Sequence, residues 1–396
     1  MKRYIGAVVL GLACFALGAT FQRFYDARKA AEGLRAARPA PEIAKDHGVV
    51  APPPSQFEHE PLWAYGFDTR PAPGDKAQPQ APPNRNLRPN EDAGEQTRPR
   101  HVSGSKAAYS LVDVRDGQNV IDWFPSDHPS MPSVVAHGPA RLAEKTRGCG
   151  SCHLPNGKGR PENAQPGGLP VPYFMRQIQD FRNGLRHTAD PRKPNTNTMV
   201  DLAKAMTDDE VRAAAEYFSA IKYTPWIRVV ETERVPKTKI SGNLFLPIEQ
   251  ERTEPIAGRI IEMPENVEQA ETLRNPHSGF VAYAPVGSIK KGQDLVTTGG
   301  MRVVGNEIIQ GKSTPCITCH GLDLMGVADV PPIAGRSPSY LVRQIWDIQQ
   351  GTRNGAAVQL MKMAIAKLNE EDLVNIAAYV SSRPPRALRV ESRLTN

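Results

Sequence analysis

Cysteine is scarce in this chain, with five residues among 396. Four of the five fall in two short motifs, and only Cys14 stands outside them. A fold that is stabilised by disulfides needs several spare cysteine pairs, so the sequence excludes a disulfide framework. The cysteine positions therefore indicate a chemical site and not disulfide bonds that stabilise the fold.

The chain also lacks a general excess of basic residues, although its formal net charge is +7. Residues 1–38 carry +5 of this charge, from seven Lys or Arg residues against Asp26 and Glu32, which leaves +2 for the rest. The basicity therefore flanks one N-terminal segment and is not spread over a surface. This distribution argues against binding to nucleic acid or to another polyanion.

Two CxxCH motifs are present, at Cys149–His153 and Cys316–His320, with their histidines 167 residues apart. Two thiols three positions apart can add to the two vinyl groups of one porphyrin, and the next imidazole then reaches the iron. A disulfide or half of a zinc site would also use paired cysteines, but two such five-residue patterns are very improbable by chance with this composition. The sequence therefore predicts two covalently bound haem c groups.

The N-terminus carries an apolar run from Tyr4 to Phe21, preceded by two basic residues. The run is about as long as a helix that crosses a bilayer. Small residues at Gly18 and Ala19 also fit the cleavage point of an export signal, but the run is longer than a typical signal core. We favour an uncleaved anchor, and in either case the remainder is exported to the periplasmic side of the bacterial inner membrane.

Proline is concentrated after this segment, with 13 of 37 prolines between Pro39 and Pro99. Such a stretch cannot continue as helix or sheet and predicts a disordered tether. Three aromatic residues nevertheless cluster within it, at Trp63, Tyr65 and Phe67. We expect this cluster to dock, either on the chain's own domains or in the groove of a partner.

The predicted organisation is a membrane anchor or signal (1–25), a Pro-rich disordered tether (26–108), a first haem domain with a lead-in segment (109–224), a strand-rich connecting segment (225–284) and a second haem domain (285–396). Alternation of apolar residues predicts short strands at 112–114 and 120–121 in the lead-in, and at 226–230, 258–261 and 279–283 in the connecting segment. The connecting segment contains no cysteine, and we assign it to scaffolding or docking.

An internal repeat links the two haem domains. Residues 173–186 align without gaps with residues 340–353, and each stretch begins 20 residues after its haem histidine. Apolar spacing predicts a helix in each copy, which ends at Gly184 or Gly351. A second helix is predicted to begin after the capping residue Thr207 in the first copy and Asn369 in the second.

The same register identifies a methionine in each copy. Met199 lies eight residues before Thr207, and Met361 lies eight residues before Asn369. A single methionine is most often a core residue, but the matched positions favour axial ligation of the haem iron. Met363 is the alternative at the second site. The first copy has five more residues before its methionine, which we assign to an insertion in the loop 189–194.

Each copy resembles a class I cytochrome c, and the tandem is similar to the di-haem cytochromes of the c4 group. The resemblance rests on the CxxCH motifs and on Pro331–Gly335 with the repeat that follows. It implies a mainly α fold, and it implies that the carbonyl of Pro332 accepts the Nδ1 hydrogen of His320. The first copy departs from this pattern with Pro166–Pro170, so the partner of His153 is not identified.

The residues predicted to bind the two haem groups are Cys149, Cys152, His153, Met199, Cys316, Cys319, His320 and Met361, and the predicted iron ligands among them are His153, Met199, His320 and Met361. Ligation by histidine and methionine fills both axial positions and favours outer-sphere electron transfer at relatively high potential. We therefore expect an electron carrier with no catalytic residues, which passes electrons between an oxidoreductase and an acceptor protein.

Two other classes of function remain open. One is a cytochrome subunit held in a dehydrogenase or oxidase complex, and the other is a di-haem enzyme of the peroxidase or thiosulfate dehydrogenase type. The thiosulfate enzymes use an axial cysteine, and no exported cysteine exists here outside the motifs. His187 is a conceivable distal ligand, but Asn354 occupies its place in the second copy, so we expect His187 at the surface.

Overall fold

The computed structural model describes residues 59–72, 74–76, 88, 90–248 and 252–385, all within one compact unit, Gly48–Asn396. Within these ranges, no helix combines the length and the apolar character that a membrane span requires. The apolar run Tyr4–Phe21 lies outside the described residues, so the membrane anchor stays a prediction. The architecture is mainly helical, with a strand-containing segment between two haem-motif units.

In the described part of the chain before the first motif there are four short α-helices: α1 (Leu62–Tyr65), α2 (Ala93–Thr97), α3 (Leu111–Arg115) and α4 (Ser133–Ala136). The strand predicted at 112–114 is therefore wrong, and residues 120–121 are not a strand either. Helix α3 forms because Ser110 and Asp113 make a capping box, in which each side chain accepts a hydrogen bond from the other residue's backbone N–H. The capping box therefore favours a helix here, although Val112 and Val114 alternate as in a strand.

The disordered tether predicted for 26–108 is wrong for the described part of that segment. Helices α1 and α2 lie within it, and Trp63 and Tyr65 are only 7% and 0% exposed. The prolines favour disorder there, but burial of two large aromatic side chains offsets the entropy cost of ordering a short segment. The aromatic cluster packs on the chain's own domains, which was one of the two outcomes expected.

The first haem-motif unit contains α5 (Cys149–His153), α6 (Val171–Arg182), α7 (Pro194–Ala205) and α8 (Asp208–Ser219). Helix α6 ends as predicted, because Gly184 adopts a φ of 67°, which disfavours residues with a Cβ. Helix α8 begins at the predicted capping box, where the side chain of Thr207 accepts from Glu210 N. These helices enclose the core cluster around Ile178, Phe181 and Phe218.

Nine strands lie in the described residues that follow, seven of them in the connecting segment: β1 (Ile227–Glu231), β2 (Arg234–Pro236), β3 (Thr238–Ser241), β4 (Leu244–Pro247), β5 (Thr253–Pro255), β6 (Ile261–Pro264), β7 (Phe280–Ala284), β8 (Arg302–Val304) and β9 (Glu307–Ile309). Strand β7 is central in a three-stranded sheet, parallel to β1 and antiparallel to β6. The three strands predicted in the connecting segment correspond to β1, β6 and β7, although the second of them overlaps β6 only at Ile261. Their buried residues join the core of the second unit, which agrees with a scaffolding role.

The second unit contains α9 (Ser288–Thr298), α10 (Ile317–His320), α11 (Pro338–Gln349), α12 (Gln359–Ile365) and α13 (Glu370–Ser382). Helices α9 and α13 cross closely at Gly292, where a Cβ would lie 1.9 Å from the carbonyl oxygen of Asn375. Only glycine permits this approach. Helix α13 begins at the predicted cap, Asn369, and Gly351 ends α11 with a φ of 76°.

Candidate haem sites

The first CxxCH motif forms α5, a single helical turn that carries both thiols and the histidine on one short segment. The Nδ1 of His153 lies 2.9 Å from the carbonyl oxygen of Ala164. Because a carbonyl can only accept, Nδ1 carries the hydrogen and Nε2 keeps its lone pair. Burial lowers the pKa of His153, which favours the neutral imidazole that binds a metal.

The second motif repeats this arrangement, with one difference from the prediction. The Nδ1 of His320 lies 2.9 Å from the carbonyl oxygen of Pro331, not of Pro332. Both acceptors lie eleven residues after their histidine, so Pro331 is the counterpart of Ala164. Every residue has a backbone carbonyl, so the path of the loop determines the acceptor and alanine serves as well as proline.

A cavity with about 1360 Å³ of empty space, partly open to solvent, surrounds the first motif. Its wall includes Cys149, Cys152, His153 and Met199, so the structure brings together all four side chains predicted for the first haem. Much of the remaining lining is apolar. Two thiols, an imidazole and a thioether in one largely apolar cavity fit a covalently attached haem, which binds through thioether bonds and two axial ligands.

The residues predicted for the second haem differ in their burial. Cys316 and Met361 are half-buried and pack against the core of the second unit, His320 is buried, and Cys319 is exposed. Met361 and the alternative ligand Met363 lie on the same helix, α12. They differ in burial, because 70% of the surface of Met363 is exposed. The packing of the two methionines therefore favours Met361 over Met363 as the residue that faces the interior.

His187 does not lie on the surface as expected. It is half-buried and lines the first cavity, with Nδ1 3.3 Å from the carbonyl oxygen of Thr188. The backbone N–H of His187 also donates to the carbonyl of Thr352, which fixes the position of this residue between the units.

Among the described residues, no group of three or more His, Cys, Asp or Glu side chains could hold a metal ion without a porphyrin.

Arg186 connects the two units through its side chain, which is 8% exposed. It donates to Oε1 of Gln177 in its own unit at 2.8 Å. Across the boundary it donates to the hydroxyl of Tyr340 at 3.2 Å and to Oε1 of Gln344 at 2.8 Å. Both of these residues line the first cavity, so α11 of the second unit forms part of the wall of the first site.

Arg353 makes the corresponding contacts in the opposite direction. It donates to Gln344 in its own unit at 3.2 Å, and across the boundary to the hydroxyl of Tyr173 at 2.7 Å and to Gln177 at 2.9 Å. The two backbone segments also pair, because His187 N donates to Thr352 O and Asn354 N donates to Leu185 O. The internal repeat thus generates a pseudo-twofold contact, which we call the arginine interface and define by residues 173, 177, 186, 340, 344 and 353.

Sequence reasoning did not single out the arginine interface. The signal was nonetheless available, because tyrosine, glutamine and arginine recur at matched positions of the repeat, although these positions do not belong to its apolar face. Both copies keep these three polar residues although many other positions of the repeat differ, and this indicates that the copies contact each other there. The apolar spacing alone predicts only two separate helices.

Comparisons with known proteins agree with this geometry. A family model described as cytochrome c matches residues 304–384. Cytochrome c-554(548) of Halomonas halodenitrificans is 37% identical over 75 residues, which are 19% of this chain and 90% of that protein. Cytochrome c4 of Azotobacter vinelandii is 36% identical over 83 residues, and this match spans only 40% of its length.

Another relative matches over a longer stretch of the chain. A protein named thiosulfate dehydrogenase electron acceptor, from Thiomonas intermedia, is 23% identical over 257 residues, which are 64% of this chain and 84% of that protein.

Proposed function

The chain belongs to the cytochrome c family, as a di-haem protein of the c4 type with two covalently bound haem c groups, and we propose that it is a membrane-tethered periplasmic electron carrier. In this proposal it takes electrons from a dehydrogenase and passes them to a second redox protein. The observation that carries the proposal is the first cavity, where two thiols, His153 and Met199 meet residues of the second unit.

We propose that Cys149, Cys152, His153 and Met199 hold the first haem, and that Cys316, Cys319, His320 and Met361 hold the second. When bound, each haem supplies a one-electron couple between ferric and ferrous iron. The carbonyl oxygens of Ala164 and Pro331 accept the Nδ1 hydrogens of His153 and His320. These hydrogen bonds fix the orientation of the two imidazoles and increase the basicity of the imidazoles.

Thioether ligation from Met199 and Met361 raises the potential, because it stabilises ferrous iron relative to ligation by a second imidazole. It also fills the position that a substrate of a haem enzyme would need. The arginine interface supports transfer between the haems, because it fixes the two units in direct contact through buried hydrogen bonds. Electrons can then enter at one haem and leave from the other.

The proposed donor is a dehydrogenase. This assignment is supported by the relative from Thiomonas intermedia, whose name describes it as an electron acceptor of thiosulfate dehydrogenase. The chain lacks an exported cysteine outside its CxxCH motifs, so it does not offer the axial cysteine of the thiosulfate enzymes themselves. We therefore assign it to the carrier side of such a reaction.

A di-haem enzyme is the second candidate, and the observation that favours it is the position of His187 in the wall of the first cavity. The absorption spectrum of the oxidised protein distinguishes the two functions. An electron carrier shows the weak far-red absorption of a sulfur–iron bond at both haems. Bis-histidine ligation by His187 at the first site removes half of that absorption, and an open site gives a high-spin spectrum.

The tether is tested separately by membrane fractionation. If residues Tyr4–Phe21 form an anchor, the protein remains with membranes after a high-salt wash, because salt does not weaken apolar burial. Recovery of a soluble protein that begins near Thr20 shows instead that the segment is a cleaved signal.

A further inference from the structure

A short segment before the first haem unit covers the boundary between the two units. We call residues 60–69 the strap. It contains α1, and its side chains Trp63 and Tyr65 are 7% and 0% exposed. The neighbouring Gly66 lies so close to the connecting segment that a Cβ would be 2.4 Å from the carbonyl oxygen of Asn243. The strap is therefore a packed part of the fold.

The strap contacts two residues of α11 that line the first cavity. The hydroxyl of Tyr65 donates to Oδ1 of Asp347 at 2.7 Å, and this carboxylate also accepts from the backbone N–H of Ala189 at 2.9 Å. The guanidinium of Arg343 donates to the carbonyl of Ala64. Asp347 and Arg343 belong to the second unit, so the strap fixes the part of the cavity wall that the second unit contributes.

The strap also contacts the first unit, at the loop that leads to Met199. The buried ammonium of Lys193 donates to the carbonyl of Tyr65 at 3.1 Å, and Arg192 donates to the carbonyl of Thr69 at 2.8 Å. The guanidinium of Arg192 lies 4.0 Å from the ring centre of Phe67. Lys193 immediately precedes α7, so these contacts hold the start of the helix that carries Met199.

The two copies differ at this loop. The first copy has five more residues than the second between its helix-ending glycine and its methionine. Residues 189–194, where the insertion is predicted, include Ala189, Arg192 and Lys193, the residues of the first unit that contact the strap or its partner Asp347. The loop of the first unit that contacts the strap is therefore the one in which the two copies differ.

We propose that the strap is a positioning element for the first haem site. It holds the loop before Met199 and the wall formed by Arg343 and Asp347, and it thereby keeps small ligands and water from reaching the first haem. The hydrogen bonds of the strap reach the wall and the loop of the first site, and its side chains Trp63 and Tyr65 also pack in the core of the second unit. This inference rests on the proposed ligation by Met199, and the experiment below separates failure of the one from failure of the other.

The test is the rate of cyanide binding to the oxidised full-length holoprotein carrying Tyr65→Phe. This variant removes one hydroxyl and leaves Asp347 with one hydrogen-bond donor fewer. We expect cyanide to bind the first haem about tenfold faster than in the wild type, as loss of a hydrogen bond to a charged group implies. The far-red absorption of that haem should also weaken, while the second haem keeps its wild-type rate.

The two haems are distinguished by repeating the measurement in a Met361→His background, in which only the second haem changes its axial ligand and therefore its cyanide kinetics. The matched control is Tyr109→Phe, which removes a hydroxyl bonded at 3.1 Å to the carbonyl of Asp122 in the lead-in segment. It should leave both rates unchanged. If Tyr65→Phe does not yield folded protein, Phe67→Leu removes the strap ring that the Arg192 guanidinium covers and should give the same acceleration.

A folded Tyr65→Phe or Phe67→Leu variant with wild-type cyanide kinetics at the first haem overturns the proposal. The same is true of equal acceleration at both haems. A wild-type first haem that lacks the far-red absorption and binds cyanide rapidly contradicts ligation by Met199 instead. Hydrogen exchange at residues 189–194 then still reports whether the strap holds this loop.

Discussion

Replacement of Arg353 by methionine tests whether the arginine interface joins the two haem units. The side chain is 6% exposed and donates three hydrogen bonds, to Tyr173, Gln177 and Gln344. Hydrogen bonds from a charged donor contribute about 1.5–3 kcal/mol each, but removal of a buried guanidinium also relieves its desolvation cost. Arg186 also continues to donate to both glutamines. We therefore expect a net loss of about 2–4 kcal/mol in the free energy of unfolding.

The measurement is denaturant unfolding of the holoprotein, with haem absorption and far-UV circular dichroism recorded together. Arg186→Met should cost a similar amount, because its contacts are related to those of Arg353 by the pseudo-twofold symmetry. Both variants should also separate the unfolding of the two units into two transitions. The control is Arg182→Met, which loses hydrogen bonds to Ala203, Met206 and Asp208 within the first unit only.

The reasoning is refuted if Arg353→Met and Arg186→Met each cost less than about 0.5 kcal/mol, the range of ordinary surface substitutions. It is also refuted if Arg182→Met separates the two unfolding transitions as strongly as Arg353→Met and Arg186→Met do. That result would mean that the hydrogen bonds across the boundary do not couple the unfolding of the two units.

Three other predictions concern the ligands, the pH dependence and haem attachment. Met199→His and Met361→His should each lower the potential of one haem in a redox titration, because imidazole stabilises ferric iron; a methionine that only fills the core would instead lose stability without a selective shift. Burial raises the pKa of Glu262 from 4.5 to about 7, so the folded protein binds more protons than the unfolded chain between these values and stability falls as pH rises through this window. Unfolding measured at several pH values should show that Glu262→Gln abolishes this pH dependence of the free energy of unfolding, which amounts to at most about 3 kcal/mol. The control variant Glu265→Gln should keep the pH dependence. Cys319→Ala should impair attachment at the second motif only, and the protein mass after acid-acetone extraction should then show a single stable haem where the wild type shows two.

The sequence predicted the elements that follow from local rules. Spacing identified the CxxCH motifs, glycine ended the helices at Gly184 and Gly351, and capping residues started α8 and α13. These features depend on a few neighbouring residues, so a single sequence contains them. The matched register of Met199 and Met361 was also readable, because a repeat acts as an internal alignment.

The features that sequence reasoning missed depend on contacts between distant parts of the chain. The carbonyl that accepts from His320 belongs to Pro331 because of the loop's path, which the residue type does not encode. The strap is ordered by contacts with distant residues, such as the hydrogen bond from Tyr65 to Asp347, 282 residues away. The contacts that Arg186 and Arg353 make across the boundary depend on how the two units pack, which the neighbouring residues do not encode.

An anaerobic redox titration of the full-length protein, with complete absorption spectra at each potential, tests the central claim most directly. The account predicts two covalently bound low-spin haems, each with a far-red sulfur–iron absorption that disappears on reduction, and two one-electron transitions. A haem that is high-spin when oxidised and that binds cyanide or peroxide rapidly contradicts the claim at that site and favours the di-haem enzyme instead.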